Sequence, residues 1–273
     1  VERDFFRGPA TPQGKGRSFG GQVIGQALMA ATCTVPQDRP VHSLHGYFIR
    51  PGDATAPVLY QVERDRDGGS FTTRRVVAIQ NGAVILNLAA SFQEREAGLS
   101  HQDQMPNVPG PEEIETEEVM AERMADRLPE GYLKWLRTPR PVDFRPCEPR
   151  PPLDRNPRAA EQRVWMRVCG PLPDDPQVHR AALAYVSDYG LLGTSTVAHG
   201  KAFGDADMQY ASLDHAVWFH EDFRVDEWLL YVMDSPWAGG GRGFNRGRIF
   251  TRDGQLVASV AQEGLIRNVA PRG

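Results

Sequence analysis

The chain has 273 residues, of which 40% are hydrophobic and 24% charged, a composition typical of a folded globular protein and not of a disordered one. Its formal net charge is −4, so we do not expect nucleic acid as a partner. Cys33, Cys147 and Cys169 are widely spaced and indicate neither a disulfide framework nor a zinc site. Because the sequence begins without an apolar signal core and lacks a long apolar run, we expect a cytoplasmic protein without a membrane span.

The first third of the chain predicts one helix followed by four strands. Gly20-Gly21 opens a helical segment that carries no charge and ends before Pro36. The strand-like runs that follow lie at 41–50, 58–64, 72–80 and 83–93. Asn81-Gly82, between the last two runs, is a strong signal for a two-residue hairpin turn.

The middle of the chain differs in composition from both ends. Residues 111–128 are acidic and predict a solvated helix. Seven prolines lie in the 19 positions from Pro139 to Pro157, a density that excludes a helix or a central strand and predicts an extended connector. We therefore predict an N-terminal unit at residues 1–95, an acidic segment and proline-rich connector at 96–158, and a C-terminal unit at 159–273.

The last third repeats the order of the first. A helical segment is predicted at 178–192, with strand-like runs at 213–220, 227–233, 243–251 and 255–266. Asp253-Gly254 supplies a second hairpin turn.

Small shared features suggest that the two ends are copies of one unit. His45 and His215 each precede an aromatic strand, and each final strand carries a Gln-Glu pair, beginning at Gln93 and at Gln262. A helix almost without charge, followed by several strands, implies an antiparallel sheet that curls around the helix and covers most of its sides. The sequence therefore predicts an α+β fold of two tandem hotdog units, a double hotdog.

Several common functional signatures are absent from the sequence. It contains no G-x-S-x-G nucleophile elbow, no glycine-rich phosphate loop and no histidine spacing typical of a metal site. We therefore expect that the protein uses neither a metal nor a bound cofactor.

Asp188 is the one charged residue between positions 181 and 198. On a helix it would share a face with small and apolar residues such as Ala184 and Tyr185. Because a buried carboxylate is costly unless it is hydrogen-bonded, this position favours a functional role. An aspartate that caps a broken helix near Gly190, or one tied to backbone amides, is the structural alternative.

Two polar residues in the following strands have a similar character. Gln262 alternates with Ala258 and Val260 and so falls on an apolar face of its strand. Ser212 directly precedes the strand-like run 213–220. A hydroxyl and an amide can together orient a water beside a carboxylate that removes its proton. A serine that only ends a turn, and a glutamine satisfied by backbone groups, are the alternatives.

Long strings of this sequence resemble the type II acyl-CoA thioesterases (TesB-like). They are SLDHAVWFH at 212–220, with Asp188-Tyr189 before it and VASVAQEG at 257–264 after it, and FGGQVIGQAL at 19–28, YFIRPGD at 47–53, RRVVAIQNG at 74–82 and ASFQ at 90–93. The resemblance covers nearly the whole chain apart from the connector. It implies a double hotdog fold, hydrolysis of fatty acyl-CoA to free fatty acid and CoA, and a catalytic set that maps to Asp188, Ser212 and Gln262. Some relatives have threonine in place of Ser212, which supplies the same hydroxyl.

Parts of the sequence also fit two other functions. Hotdog enoyl-CoA hydratases resemble one another in an aspartate that is followed five residues later by a histidine, and Asp174 and His179 have this spacing. The Asn-Pro pair expected between the two is missing. The string also lies where it can cap the following helix. A non-catalytic acyl-CoA-binding module would be free to lose one member of the set Asp188, Ser212 and Gln262, and this sequence keeps all three.

The expected partners are an acyl-CoA substrate and further copies of the chain. Hotdog sheets leave edges and an outer face that a single unit rarely covers, and Trp218, Phe219 and Trp228 would add apolar surface there. We therefore expect a homo-oligomer, either a dimer or a tetramer.

Overall fold

The computed structural model describes residues 3–11, 15–128, 130, 133, 140–151, 154–202 and 205–269. The N-terminal unit consists of β1 (Phe5–Gly8), α1 (Gly20–Thr32), β2 (Val41–Phe48), β3 (Val58–Asp67), β4 (Phe71–Gln80) and β5 (Ala83–Gln93). A 3₁₀ turn at Pro111–Glu113, helix α2 (Glu117–Arg123) and a second 3₁₀ turn at Ala125–Arg127 follow. The C-terminal unit consists of β6 (Val142–Pro146), β7 (Glu161–Val168), α3 (Pro176–Val186), α4 (Thr194–Val197), β8 (Met208–Ser212), β9 (Asp214–Phe219), β10 (Leu229–Gly239), β11 (Arg242–Thr251) and β12 (Leu256–Asn268).

The named strands form one antiparallel sheet that runs through both units. Its order is β1-β3-β4-β5-β2-β9-β12-β11-β10-β7-β6, with β8 paired to β12 outside this path. The units join where β2 pairs with β9, with Leu44 opposite Val217. Side chains alternate between the inner and outer faces, as in β4, where Val76 and Ala78 are fully buried. The structure confirms the predicted α+β double hotdog.

Helices α1 and α3 pack side by side against the inner face of the curved sheet, and glycines on α1 allow their close contact. A Cβ atom at Gly25 would lie 2.9 Å from the carbonyl oxygen of Ala181, and a Cβ atom at Gly21 would collide with the carbonyl oxygen of Tyr185. These two contacts show that the helices run antiparallel. The start of α1 therefore lies beside the end of α3.

Helix α3 is shorter than the predicted segment 178–192 and ends at Val186. The Ser187 hydroxyl donates to the carbonyl oxygen of Ala184, and Gly190 adopts a φ of 74°, a left-handed conformation that a helix cannot continue through. Asp188 thus lies two residues beyond the helix. The prediction that Asp188 sits on a helical face is wrong.

The predicted connector contains one strand of the sheet. Strand β6 lies within the proline-rich segment and pairs with β7 alone, at the end of the sheet. An edge strand tolerates proline because one side of its backbone needs no hydrogen-bonding partner. The division into residues 1–95, 96–158 and 159–273 stays a prediction.

The two hairpin signals lie between the expected strands. Asn81 and Gly82 have φ values of 50° and 76°, which match a two-residue turn between β4 and β5. The turn at Asp253-Gly254 is longer, because the N–H of Thr251 donates to the carbonyl oxygen of Gln255 across it. Both turns are confirmed, and the second has a different geometry.

The predicted equivalence of His45 with His215, and of Gln93 with Gln262, is wrong. His45 is exposed on the outer face of β2, whereas His215 is completely buried. Gln93 is the last residue of β5 and half-buried, whereas Gln262 lies within β12 and is 1% exposed. Spacing along the chain matched these residues although the sheet places them on different faces or at different depths.

Replacing Gly25 by alanine should destabilise the protein, even though alanine favours a helix by about 1 kcal/mol. The added methyl group would press on the carbonyl oxygen of Ala181 at 2.9 Å, and overpacking of this kind costs about 1–3 kcal/mol. We expect urea titration to show a lower free energy of unfolding. Gly98→Ala is the control, because no atom lies within 4 Å of its added Cβ. Unchanged or higher stability of Gly25→Ala would contradict the tight helix contact.

Candidate active site

Asp188 lies where the end of α3 meets the start of α1, and its side chain is 5% exposed. Its Oδ2 accepts a hydrogen bond from the backbone N–H of Gly21 at 2.8 Å, and its Oδ1 accepts one from Nε2 of Gln262 at 2.6 Å. The alternative of an aspartate tied to backbone amides therefore holds for Oδ2 only, since Oδ1 bonds to a side chain. Both units contribute to holding this carboxylate.

The start of α1 is shaped to receive a negative charge from another element. Its N-cap residue, Phe19, provides no side-chain hydrogen bond, and its first turn has no acidic residue. Asp188 supplies the anion that the positive end of a helix favours. A Cβ atom at Gly20 would lie 2.8 Å from Oδ2 of Asp188 and 2.8 Å from the ring of Phe48. Glycine at this position lets the carboxylate approach the helix.

Gln262 has a buried amide oxygen without a partner. Its Nε2 is bonded to Asp188 and lies 3.0 Å from Nδ1 of His215. Its Oε1 makes no hydrogen bond with the described residues. An unsatisfied buried acceptor costs about 1–3 kcal/mol, so a donor is expected at this point.

Asn245 lies directly opposite Gln262 on β11 and is also completely buried. Its Nδ2 donates to the carbonyl oxygens of Gly243 and Gln262 at 3.3 and 3.4 Å. Its Oδ1 has no partner in the part of the chain that the structure describes. Two unpaired amide oxygens thus lie on neighbouring strands and on the same face of the sheet.

Ser212 lies at the end of β8, at a break in the strand register. It pairs with Gly264, whereas Ala216 of β9 pairs with Ala261, so the chain between Ser212 and Ala216 contains one extra residue. Paired residues share a face of the sheet, which puts Ser212 on the same face as Gln262, two residues from Gly264. The Ser212 hydroxyl makes no hydrogen bond to another described residue. The structure therefore joins Asp188 to Gln262 directly and leaves Ser212 nearby without a direct bond to either.

Aromatic rings form one wall beside Asp188. The ring centroid of Phe19 lies 4.3 Å from that of Tyr189 and 5.2 Å from that of Tyr185. The hydroxyls of Tyr185 and Tyr189 are 2.9 Å apart, and Phe144 of β6 lies 5.1 Å from Tyr189. Strand β6, from the predicted connector, thereby contributes to the surroundings of the site.

Among the described residues, no group of three or more His, Cys, Asp or Glu side chains is arranged to hold a metal ion. Within the same residues, none of the helices has the length and apolar character that crossing a membrane requires.

Two family models match the chain, one for each unit. Residues 6–93 match the acyl-CoA thioesterase N-terminal domain, and residues 138–265 match the acyl-CoA thioesterase model. Acyl-CoA thioesterase 2 of Haemophilus influenzae is 41% identical over 96% of this chain and 92% of its own. Human acyl-coenzyme A thioesterase 8 is 42% identical over 98% of this chain and 86% of its own. The crystal structure of acyl-CoA thioesterase II TesB2 from Mycobacterium marinum has a TM-score of 0.80 and 45% identity, over 100% of this chain and 96% of that one.

This chain belongs to the acyl-CoA thioesterase family. The family resemblance predicted from the sequence is confirmed, and so is the predicted class of enzyme, a thioester hydrolase.

In this thioesterase, the residues of the string that suggested a hydratase have other contacts. Asp174 has a 99% exposed side chain and pairs with Arg224. Asp175 caps α3 by accepting the N–H two residues further on at 2.9 Å. His179 is buried, and its Nδ1 accepts the backbone N–H of Val225. The string therefore caps and packs the helix, and in the described contacts its aspartate and its histidine each bond to other groups.

The sequence did not predict two groups of the candidate site, His215 and Asn245. His215, noted only as a repeat feature, contacts Gln262, and its alternation with the buried Val217 and Phe219 was a signal that it faces inward. Asn245 gave a weaker signal, because its inward neighbours along β11 are the glycines 243 and 247.

In the N-terminal unit, an arginine fills the place that corresponds to the site. In the strand register, Ala90 lies opposite Arg74 just as Gln262 lies opposite Asn245, and both pairs lie four residues beyond the register shift near the hairpin. Opposite Ala90, Arg74 is completely buried and donates from Nε to the hydroxyl of Thr34 at 2.8 Å. Its Nη2 pairs with Asp67 at 2.5 Å. The thioesterase therefore has this polar set in one unit only, within the residues that the structure describes.

His215 should make stability depend on pH. Burial lowers its pKa, and the negative charge of Asp188, 4.0 Å from Nδ1, opposes this shift only partly. The unfolded chain takes up a proton near the usual value of about 6.5, whereas the folded protein takes it up at lower pH. The free energy of unfolding should therefore fall as the pH drops below about 6.5, until the pH reaches the folded pKa.

Urea titrations at about pH 7.5 and about pH 5.5 test this dependence. The stability lost between the two pH values should be smaller for His215→Asn than for the wild type, while the other six histidines form a common background. An equal loss of stability in the wild type and in His215→Asn would show that His215 has the same pKa in the folded and the unfolded protein.

Proposed function

We propose that this thioesterase hydrolyses fatty acyl-CoA to free fatty acid and CoA by direct attack of one water, activated by Asp188. The observation that carries the proposal is the unpartnered, buried Oε1 of Gln262, whose Nε2 donates to Oδ1 of Asp188 at 2.6 Å. A water there can donate one hydrogen to the carboxylate and the other to Oε1. This arrangement leaves a lone pair free to attack. The names of the relatives support acyl-CoA as the substrate.

In the proposed reaction, the water oxygen bonds to the thioester carbonyl carbon while Asp188 takes one proton. The carbonyl oxygen becomes an oxyanion, which we place toward the start of α1, where the helix dipole favours negative charge. The C–S bond then breaks, and the departing thiolate takes the proton from Asp188. One water is consumed, and the balanced products are a carboxylic acid and CoA, without a cofactor.

Ser212 is assigned to hold the same water from the other side. Its hydroxyl lies on the inner face with Gln262 and has no bond to other described residues, so it is free to donate to a lone pair of the water. The bulge before β9 supports this assignment, because bulges redirect side chains next to active sites.

Asp188→Asn keeps the size and polarity of the side chain but removes the base, so kcat should fall by at least ~10²-fold. Ser212→Ala and Gln262→Ala should each lower kcat with a smaller effect on KM, because these groups orient the water and do not hold CoA. When either substitution is combined with Asp188→Asn, the loss of kcat should be smaller than the sum expected from the single variants, since all three residues act on one water. Thiol release from a panel of short to long acyl-CoAs measures these constants.

Gln93→Ala is the matched control, since it removes the glutamine of the other Gln-Glu pair and should leave kcat unchanged. Rapid quench and mass spectrometry should find no acyl group on Ser212. An acylated Ser212, or an Asp188→Asn enzyme with the wild-type kcat, would refute the mechanism.

We also propose that the protein assembles as a dimer or tetramer. Tyr47 and Trp218, on the paired strands β2 and β9, are 61% and 36% exposed on the outer face. The other two aromatic residues expected there contribute less, because Phe219 is buried and Trp228 packs against two arginine side chains. A cytoplasmic location and a part in fatty acid metabolism stay predictions.

Light scattering at micromolar concentration should give a mass of two or four chains, because exposed aromatic rings on adjacent strands favour burial against another surface. Trp218→Glu should shift the mass toward one chain. A wild-type mass of 30.3 kDa, that of a single chain, would rule out the assembly.

A further inference from the structure

We propose that His215 is a positioning residue, which fixes the amide of Gln262 through a hydrogen-bonded chain that starts at Ser187. The inference deepens the proposed function and rests on it, because it concerns the glutamine assigned to hold the attacking water. Nothing in the catalytic set of Asp188, Ser212 and Gln262 requires a histidine, yet one lies completely buried against it.

The direction of each hydrogen bond follows from the contacts. The Ser187 hydroxyl donates its one hydrogen to the carbonyl oxygen of Ala184 at 3.1 Å. Its oxygen, 2.8 Å from Nε2 of His215, can then accept there, which agrees with a neutral ring that carries its proton on Nε2. Nδ1 is then the acceptor of the neutral ring, and Nε2 of Gln262 donates to it at 3.0 Å.

This chain determines which way the Gln262 amide points. One amide hydrogen goes to Asp188 at 2.6 Å and the other to His215 at 3.0 Å. Oε1 is left as the free acceptor. In the rotated amide, Oε1 would face the carboxylate and the ring acceptor, and both contacts would be repulsive. Only one orientation satisfies both neighbours, and it directs Oε1 to the proposed water.

The imidazole must stay neutral for the chain to work, and its surroundings keep it so. A proton on Nδ1 would oppose the N–H of Gln262 directly. The charged group that faces the ring is Asp188, 4.0 Å from Nδ1. The neutral groups are Gln262 from β12 and Ser187 after α3, whose carbonyl oxygen accepts from the Tyr231 hydroxyl at 2.9 Å. Burial lowers the pKa of His215 in spite of the nearby carboxylate.

The chain itself offers an apolar replacement that fits this fold. Leu44 faces inward on β2 and pairs with Ala90, the residue that corresponds to Gln262. His215→Leu therefore introduces at position 215 the side chain that the N-terminal unit has at the corresponding position, Leu44. His215→Asn keeps an oxygen near the place of Nδ1 and can accept from Gln262. Ser187→Ala removes the group that fixes the proton on Nε2.

We expect His215→Leu to lower kcat by about 10- to 100-fold, with KM changed by less than about twofold, because a misplaced water affects the reaction more than the binding of CoA. His215→Asn should recover part of the loss, and Ser187→Ala should show an intermediate loss. The matched control is His220→Leu, which removes a histidine–serine bond of 2.9 Å to Ser259 on the outer face and should leave kcat unchanged. Thermal unfolding of every variant checks that it is folded.

A nitrogen-15 NMR spectrum of the imidazole rings at neutral pH gives a readout that a merely structural role would not produce. The wild type should show His215 with a protonated Nε2 and an unprotonated Nδ1, and Ser187→Ala should populate the other tautomer. The wild-type signal should not change toward the charged form at about pH 5.5, since burial disfavours that form.

The outcomes separate this inference from the proposed function. If Gln262→Ala keeps the wild-type kcat, the proposed water site is wrong. If Gln262→Ala loses activity while folded His215→Leu and His215→Asn both keep it, the positioning role of His215 is wrong. A wild-type ring protonated on Nδ1 would overturn the hydrogen-bond chain whatever the kinetics show. Equal losses for His215→Leu and His215→Asn, with KM raised in parallel, would indicate only a packing defect and also refute the role.

Discussion

The site depends on one close contact, that between the antiparallel helices α1 and α3. Because Gly21 and Gly25 carry no side chains, the backbones approach until the N–H of Gly21 reaches Asp188 at 2.8 Å. The carboxylate belongs to the C-terminal unit and this N–H to the N-terminal unit. The C-terminal unit taken alone would leave Oδ2 of Asp188 without this donor, and only Gln262 would then bond to the carboxylate. The pairing of β2 with β9 fixes the two units so that the contact is kept.

The two units differ in the polar side chains that they bury at corresponding positions of their sheets. In the N-terminal unit, Arg74 fills it and bonds to Thr34 and Asp67, so its polar groups find partners within the protein. In the C-terminal unit, Gln262 and Asn245 each keep an unpaired oxygen. Leaving such an oxygen unpaired costs about 1–3 kcal/mol, so a donor such as a water is expected beside each. This difference is consistent with the proposal of one site in the C-terminal unit.

The sequence predicted eight of the twelve described strands, where local signals determine them, and it missed β1, β6, β7 and β8. The run 83–93 and the turn Asn81-Gly82 coincide with β5 and its hairpin, where alternation and glycine geometry agree. The end of α3 was missed, because it depends on the Ser187 hydroxyl and the conformation of Gly190. Pairing Gln93 with Gln262 failed for a different reason. Equal spacing along the chain does not fix the face on which a strand residue lies, and only the register does. The family resemblance supplied Ser212, which no local pattern could distinguish from a turn serine.

Geometry limits how Asp188 can act. Each of its oxygens already accepts one hydrogen bond, from Gly21 or from Gln262, so each has one acceptor direction left. A water that uses the free direction of Oδ1 must also find its second acceptor, and Oε1 of Gln262 is the acceptor that the same amide presents. In the proposed reaction, the group that restrains the carboxylate therefore also sets the angle of attack. The proposal thus gives the residues that hold this amide, on β9 and after α3, a positioning role beside the base.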